Sequence, residues 1–120
     1  MIALLLTLEL IARVLAGEVG PLGPDAMLLV ASTMQERRAS GEYGDTWGQV
    51  LAGYHAEAPA TESARQVAWA LVTGRIPAVG FLYAYSEQDM ARMGCRTGDV
   101  VISRHELTLH LARNAPWGSE

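Results

Sequence analysis

Apolar residues recur at helical spacing along the first stretch of the chain. Four of them occupy the i, i+4, i+7 and i+11 positions of one helical face: Leu4, Leu8, Ile11 and Leu15. The same face continues to Glu18, and Gly20 followed by Pro21 predicts the end of the helix just beyond it. On the opposite face, Glu9 and Arg13 have the i, i+4 spacing of a solvated ion pair. The carboxylate of Glu9 is therefore expected to be exposed to solvent, while that of Glu18 continues the buried face of the helix.

The same periodicity predicts three further helices. Their apolar faces are formed by Met27, Val30, Ala31 and Met34; by Trp47, Val50, Leu51 and Tyr54; and by Ala64, Val67, Ala68 and Leu71. Pro24 suits the first position of the second helix. Asp45 is expected to cap the third helix, and Thr61 the fourth.

The period changes to two in the last third of the chain. Phe81, Tyr83 and Tyr85 alternate with smaller residues, which predicts a strand. Ser86 and Asp89 have the spacing of a capping box, so a short fifth helix is expected after that strand. Two more strands are predicted over the apolar runs 100–102 and 107–111. This order of elements predicts a mainly helical α+β fold with a small antiparallel sheet near the C-terminus.

Composition favours a single globular domain over residues 1–120. Half of the residues are apolar, and glycine and proline are not abundant enough for a disordered or collagenous chain. The net charge of −4 and the lack of a basic block exclude nucleic acid as the main partner. Carbohydrates such as peptidoglycan stay open as partners. Cys95 is the single cysteine, so an internal disulfide is excluded.

The apolar N-terminus is predicted to be a core helix. It lacks the basic start and the small-residue cleavage site of a signal peptide. Glu9 and Arg13 interrupt the apolar run short of a membrane span. Localisation is therefore undetermined. The missing signal would suit a phage-encoded product that acts on the cell wall, or a subunit of a larger assembly.

Neither a metal nor a cofactor is expected. The three histidines, His55, His105 and His110, lack the close spacing of metal ligands on one helix or strand face. The sequence also contains no phosphate-binding loop and no dinucleotide fingerprint.

Glu18 is the candidate catalytic residue. It continues an apolar face and lies in the last helical turn, so desolvation and the negative end of the helix dipole are both expected to raise its pKa. A carboxyl group that stays protonated near neutral pH can act as a general acid. The alternative is an ordinary exposed glutamate at a fraying helix end.

Four short motifs resemble those of the SleB-type cell wall hydrolases, the spore-cortex-lytic group. Residues 10–18 (LIARVLAGE) resemble the family's opening motif, roughly L-A-R-x-I-x-x-E. Residues 36–37 (ER) stand at its Asn-Arg pair, 43–46 (YGDT) at its aromatic-Pro-Asp-Thr segment, and 80–83 (GFLY) at its Gly-Ala-Leu-Tyr strand. The resemblance spans about residues 10–85 and implies a lysozyme-like fold that cleaves peptidoglycan glycan strands, in several members as lytic transglycosylases. It also implies that Glu18 is the catalytic acid.

The chain departs from the family in two places. Glu36 replaces the family's Asn, and the family's Gln-Phe-Ser segment is absent near Tyr54 and His55. Glu36 is a candidate second carboxylate, either a base that activates water or a neighbour that raises the pKa of Glu18. The alternative for Glu36 is a solvated residue paired with an arginine.

Five residues are candidates for substrate binding, since aromatic rings stack on sugars: Tyr54, His55, Glu57, Tyr83 and Tyr85. The first three could instead form an exposed loop, and the last two could simply pack in the core. Two functions stay open: a lytic transglycosylase or muramidase, and a non-catalytic structural or glycan-binding subunit, for example of a phage virion.

Overall fold

The computed structural model describes residues 2–54, 56–104 and 107–117, which contain five α-helices and three β-strands. Their bounds are α1 Ile2–Val19, α2 Pro24–Ser40, α3 Trp47–Leu51, α4 Glu62–Val72, β1 Tyr83–Ser86, α5 Glu87–Met93, β2 Val100–Arg104 and β3 Leu107–Ala112. A 3-10 turn, Gly20–Leu22, joins α1 to α2. The predicted fold class, mainly helical α+β with a small antiparallel sheet near the C-terminus, is confirmed. The lysozyme-like architecture implied by the resemblance stays a prediction.

The first four helices enclose the main core. α1 packs against α2, α3 and α4, and the predicted apolar faces of α2 and α4 are buried throughout. On α1 the predicted face is buried at Ile11 and Leu15, but Leu4 is exposed. The reason is length: α1 has 18 residues and α4, its main neighbour, has 11. The first turns of α1 therefore extend beyond the helix that covers the rest. No helix of the described ranges is long and apolar enough to cross a bilayer.

Polar side chains fix where the helices begin. Thr61 and Ser86 cap α4 and α5 as predicted, each accepting the backbone N–H three residues on at 3.1 Å. The prediction for Asp45 is wrong, because Thr46 is the cap of α3. The backbone N–H of Gln49 donates to the Thr46 hydroxyl oxygen, and the Gln49 side-chain oxygen accepts the backbone N–H of Thr46. This reciprocal capping box starts the helix one residue later than predicted.

The two charged residues predicted to pair on α1 find partners elsewhere. Glu9 forms a two-pronged ion pair with Arg65 of α4, and Arg13 binds Glu57 at 2.8 Å. The hydrogen bond from Arg65 lowers the pKa of Glu9. These contacts tie α1 to α4 and to the segment that follows α3.

The sheet is antiparallel with the strand order β1-β3-β2. The register places Tyr85 of β1 and Val101 of β2 on either side of His110 in the central strand. α5 follows β1 directly and packs against β1 and β3. This arrangement brings the start of α5 and the wall of the sheet to the C-terminal end of α1, where Glu18 lies.

Candidate active site

Two adjoining cavities meet at Glu18. The first has a volume of about 510 Å³, and we call it the aromatic cavity because Tyr43, Tyr54, Tyr83 and Trp117 line it. The second has a volume of about 420 Å³, and we call it the polar cavity because Ser86, Glu87, Gln88 and Thr108 line it. Four residues line both cavities: Glu18, Ala56, Tyr85 and Asp89. The predicted catalytic glutamate is therefore part of the wall that the two cavities share.

The C-terminal end of α1 and the segment after α3 hold Glu18 in this wall. Glu18 is half-buried, and its Oε1 accepts a long hydrogen bond from the N–H of Ala56 at 3.4 Å. The N–H of Ala58 donates to the carbonyl of Arg13 at 3.0 Å, which anchors the same segment one turn earlier along α1. Gly17 allows the backbone of the segment after α3 to lie against α1, because a side chain at this position would collide with that backbone.

Asp89 is the other carboxylate of the shared wall, but it stabilises the start of α5. Its Oδ2 accepts the N–H of Ser86 at 3.2 Å as part of the α5 capping box, and its Oδ1 binds Arg92 at 2.7 Å. Both oxygens are therefore engaged in holding the start of α5. Glu18 is left as the candidate acid between the two cavities.

A buried arginine organises the wall of the aromatic cavity. Arg37 of α2 is only 9% exposed, and its Nε–H donates to the carbonyl of Leu82 at 2.7 Å. Three tyrosine rings contact the guanidinium, with centroids at 4.5 Å for Tyr43, 4.9 Å for Tyr54 and 5.4 Å for Tyr83. These cation–π contacts join α2, the segments before and after α3, and β1 around one charge.

Hydrogen bonds fix the tyrosine rings of this wall. The hydroxyl of Tyr54 bonds to that of Thr33 at 2.7 Å, and burial raises the pKa of Tyr54 to about 12. The hydroxyl of Tyr43 donates to that of Tyr83 at 3.3 Å, and this hydrogen bond together with burial raises the pKa of Tyr83. Trp117 meets Tyr83 edge to face, with centroids 5.1 Å apart. The aromatic rings are thus held in place before any ligand binds.

The polar cavity contains a glutamate that a buried histidine orients. His110 is 3% exposed, and its Nδ1 accepts the N–H of Gly98 at 3.0 Å. Its Nε2 lies 2.9 Å from Oε1 of Glu87. Since Nδ1 is an acceptor, Nε2 carries the proton in the neutral ring and donates it to Glu87. The ring also stacks on Tyr85 at 5.3 Å, so His110 supports two residues of the cavity wall.

Tyr85 presents its ring rather than its hydroxyl to the cavities. The hydroxyl donates to the carbonyl of Arg96 at 2.7 Å, and burial raises the pKa of this tyrosine. Burial likewise raises the pKa of the Cys95 thiol, which lines the aromatic cavity. At neutral pH Cys95 is therefore a thiol rather than a nucleophilic thiolate.

The structure brings four of the predicted site residues together and places two others, Glu36 and Glu57, outside both cavities. Glu18, Tyr54 and Tyr83 line the aromatic cavity, and Tyr85 lines both cavities. Glu36 lines neither cavity, because its Oε2 accepts the N–H of Gly80 at 3.2 Å. Glu57 also lines neither, since it pairs with Arg13 on the outer side of α1. The prediction for His55 lies outside the described residues.

Several wall residues were not predicted as part of the site, among them Arg37, Tyr43, Trp117 and Glu87. Arg37 stands in a polar run at the end of a helix, where arginines are ordinarily solvated. Trp117 follows an irregular segment without any periodicity, and Glu87 looks like an ordinary first-turn carboxylate. The motifs contained a usable signal for two of these residues: Tyr43 is the aromatic residue of the YGDT motif, and Arg37 stands at the arginine of the family's Asn-Arg pair.

Comparisons with protein-family models, with curated proteins and with solved structures find no match to this chain.

Proposed function

We propose that the protein cleaves the glycan strands of peptidoglycan, with Glu18 as general acid and base. The observation that carries this proposal is the position of Glu18 in the wall shared by two cavities. An enzyme that cuts a polymer internally needs its acid at the scissile bond, with room for the chain on both sides. The arrangement of the aromatic cavity, Glu18 and the polar cavity meets that requirement.

A single carboxyl group suffices for the chemistry. Protonated Glu18 gives its proton to the glycosidic oxygen as the bond from that oxygen to the anomeric carbon breaks. The Glu18 carboxylate then takes the proton of the sugar's own 6-hydroxyl while that oxygen bonds to the anomeric carbon. The product is a 1,6-anhydro sugar, and Glu18 is protonated again. If water attacks instead, the product is a reducing end and the reaction is a hydrolysis.

The walls of the two cavities suit successive parts of a sugar chain. Tyr83 and Trp117 present rings on which the apolar faces of pyranoses can stack. The carboxylate of Glu87, oriented by His110, can accept hydrogen bonds from sugar hydroxyls in the polar cavity. We therefore place the two halves of the substrate on either side of Glu18.

The resemblance to the SleB-type hydrolases supports the choice of peptidoglycan. The motif that carries Glu18 and the GFLY segment both contribute to the proposed cleft. The proposed partner is thus the glycan strand of the cell wall.

A non-catalytic glycan-binding subunit is the second candidate. One observation favours it: Glu36, at the position of the family's Asn, is turned to the backbone of Gly80 and away from both cavities. A protein that had lost cleavage could still bind sugar on the same rings.

Digestion of purified peptidoglycan by the wild type and by Glu18→Gln separates the two candidates. The enzyme releases fragments that the variant does not release, whereas a binding subunit releases none while it still binds the strands.

A further inference from the structure

Arg37 is a buried cation with unused hydrogen-bond donors. A guanidinium has five N–H groups, and among the described residues the Nε–H alone has a protein acceptor, the carbonyl of Leu82. No described residue places a carboxylate within salt-bridge distance of Arg37. A buried charge without an ionic partner is costly, and the tyrosine rings compensate for only part of that cost.

The unused donors belong to a residue that lines the aromatic cavity. In the described part of the chain, no fully buried side-chain nitrogen lacks a hydrogen-bond partner. The two terminal nitrogens of Arg37 have no hydrogen-bond acceptor among the described residues, so they must be accessible, and Arg37 lines the aromatic cavity. Gly53 makes room for them, because a Cβ on Gly53 would stand 2.6 Å from Nη1.

We propose that Arg37 binds a carboxylate of the substrate and that the aromatic cavity thereby selects strands containing muramic acid. Two terminal N–H groups in one plane match the two oxygens of a carboxylate. In peptidoglycan, muramic acid carries a lactyl carboxylate, which is free on strands without peptides, and the stem peptides carry others. Strands made of N-acetylglucosamine alone have none. This inference rests on the proposed function, since it names the group by which the same cleft recognises its substrate.

The other arginine of the cavity is a matched control. Arg92 also lines the aromatic cavity, but its charge is already paired with Asp89 at 2.7 Å and its side chain is 70% exposed. Loss of Arg92 removes the same formal charge as loss of Arg37. If general electrostatic attraction held the substrate carboxylate, its binding would depend on both arginines. If the two terminal N–H groups of Arg37 hold it, its binding depends on Arg37 alone.

The test compares two ligands that differ only in the carboxylate, together with a third that carries the stem peptide. Binding is measured by calorimetry to a peptide-free muramyl tetrasaccharide, to the same tetrasaccharide with its carboxylates converted to primary amides, and to the peptide-bearing form. All proteins carry Glu18→Gln to prevent turnover. With Arg37 present, we expect the acid form to bind about 10- to 100-fold more tightly than the amide form. Preference for the peptide-bearing form over the acid form would assign the carboxylate to the stem peptide.

Variants then assign the preference to the residue. Arg37→Gln should abolish the preference for the acid form over the amide form, and Arg37→Lys should retain part of that preference. Arg92→Gln should leave the preference intact. Gly53→Ala should also weaken it, because the added methyl displaces Nη1 without removing the charge.

Equal binding of the acid and amide forms, or no binding of the acid form, overturns the proposal even if Arg37→Gln does not fold. So does a preference that survives Arg37→Gln. Selective binding without cleavage by the wild type refutes the proposed enzyme but not the role of Arg37. Cleavage without carboxylate preference refutes only the role of Arg37.

Discussion

The Cα of Gly17 lies so close to the backbone of Glu57 that no side chain fits between them. A Cβ built on Gly17 would stand 2.5 Å from the Glu57 nitrogen and 2.6 Å from its Cα. This contact is adjacent to Glu18 in the sequence and to Ala56, whose N–H reaches the Glu18 carboxylate. The absence of one methyl group therefore allows the fold to close the cleft wall around the candidate acid.

Replacement of Gly17 should consequently affect the site more than the helix. Gly17→Ala must push the 56–58 segment away from α1, and overpacking of this kind costs about 1–3 kcal/mol of unfolding free energy. We expect the hydrogen bond from Ala56 to Glu18 to be lost and glycan cleavage to fall. Urea unfolding and a peptidoglycan release assay measure the two effects.

Gly20→Ala is the matched control, because a Cβ at Gly20 meets nothing within 4 Å. It should change stability and cleavage little. If Gly17→Ala behaved like Gly20→Ala in both assays, the close contact would have no role in the site.

Tyr54 should make the protein sensitive to alkaline pH. Burial raises its pKa in the folded state to about 12, while a tyrosine in the unfolded chain titrates near its ordinary value of 10. The protonated Tyr54 therefore makes its full contribution to stability below pH 10, and this contribution is lost as the pH rises through about 12. Two pKa units correspond to a loss of about 2–3 kcal/mol of unfolding free energy. Chemical denaturation over this pH range measures the loss.

Tyr54→Phe isolates this effect from the other tyrosines. The variant lacks the hydrogen bond to Thr33, so it should be less stable than the wild type at neutral pH by about 1 kcal/mol. The difference should shrink or reverse at high pH, since the phenylalanine cannot ionise. A difference independent of pH would show that Tyr54 is not buried as described.

The cap of α5 should matter to the cleft as well as to the helix. Ser86→Ala removes the acceptor for the N–H of Asp89 and should cost about 1 kcal/mol. Because α5 carries Asp89, Arg92 and Met93 into the aromatic cavity, we expect cleavage to fall as well. Thermal unfolding and the release assay report the two effects.

Thr61→Ala supplies the comparison, since Thr61 caps α4 in the same way and lines neither cavity. The two variants should lose similar stability, but Thr61→Ala should keep its activity at temperatures where both are folded. If the two variants lost activity equally, the loss of activity in Ser86→Ala would be explained by its lower stability alone.

Periodicity predicted the helices well because it reflects burial on one face. The faces of α2 and α4 could be read from the sequence, as could the caps at Thr61 and Ser86, since each depends on residues close together in the chain. The exposure of Leu4 could not be predicted, because it depends on where α4 ends relative to α1.

The candidate site was only partly predictable, because much of it also depends on contacts between distant parts of the chain. Glu18 could be predicted because it continues an apolar helical face, a pattern that depends only on residues close together in the chain. The burial of Arg37 could not be predicted, because it arises from rings contributed by three separate segments. Glu36 and Glu57 are chemically suitable groups near the right place in the sequence, but neither lines a cavity. Sequence distance does not show which side of a helix or loop faces a cavity.

The most direct measurement is the digestion of purified peptidoglycan, with the released products identified by mass spectrometry. Glu18→Gln should reduce the release rate by about 10²–10⁴-fold, the usual contribution of a general acid, while the variant stays folded and binds glycan. Glu36→Gln is the control, and it should retain activity because Glu36 lines neither cavity. Anhydromuramyl ends in the wild-type products would identify a lytic transglycosylase, and reducing ends a hydrolase. Equal release by the wild type and Glu18→Gln, or no release by a folded wild type that binds the strands, would contradict the role proposed for Glu18.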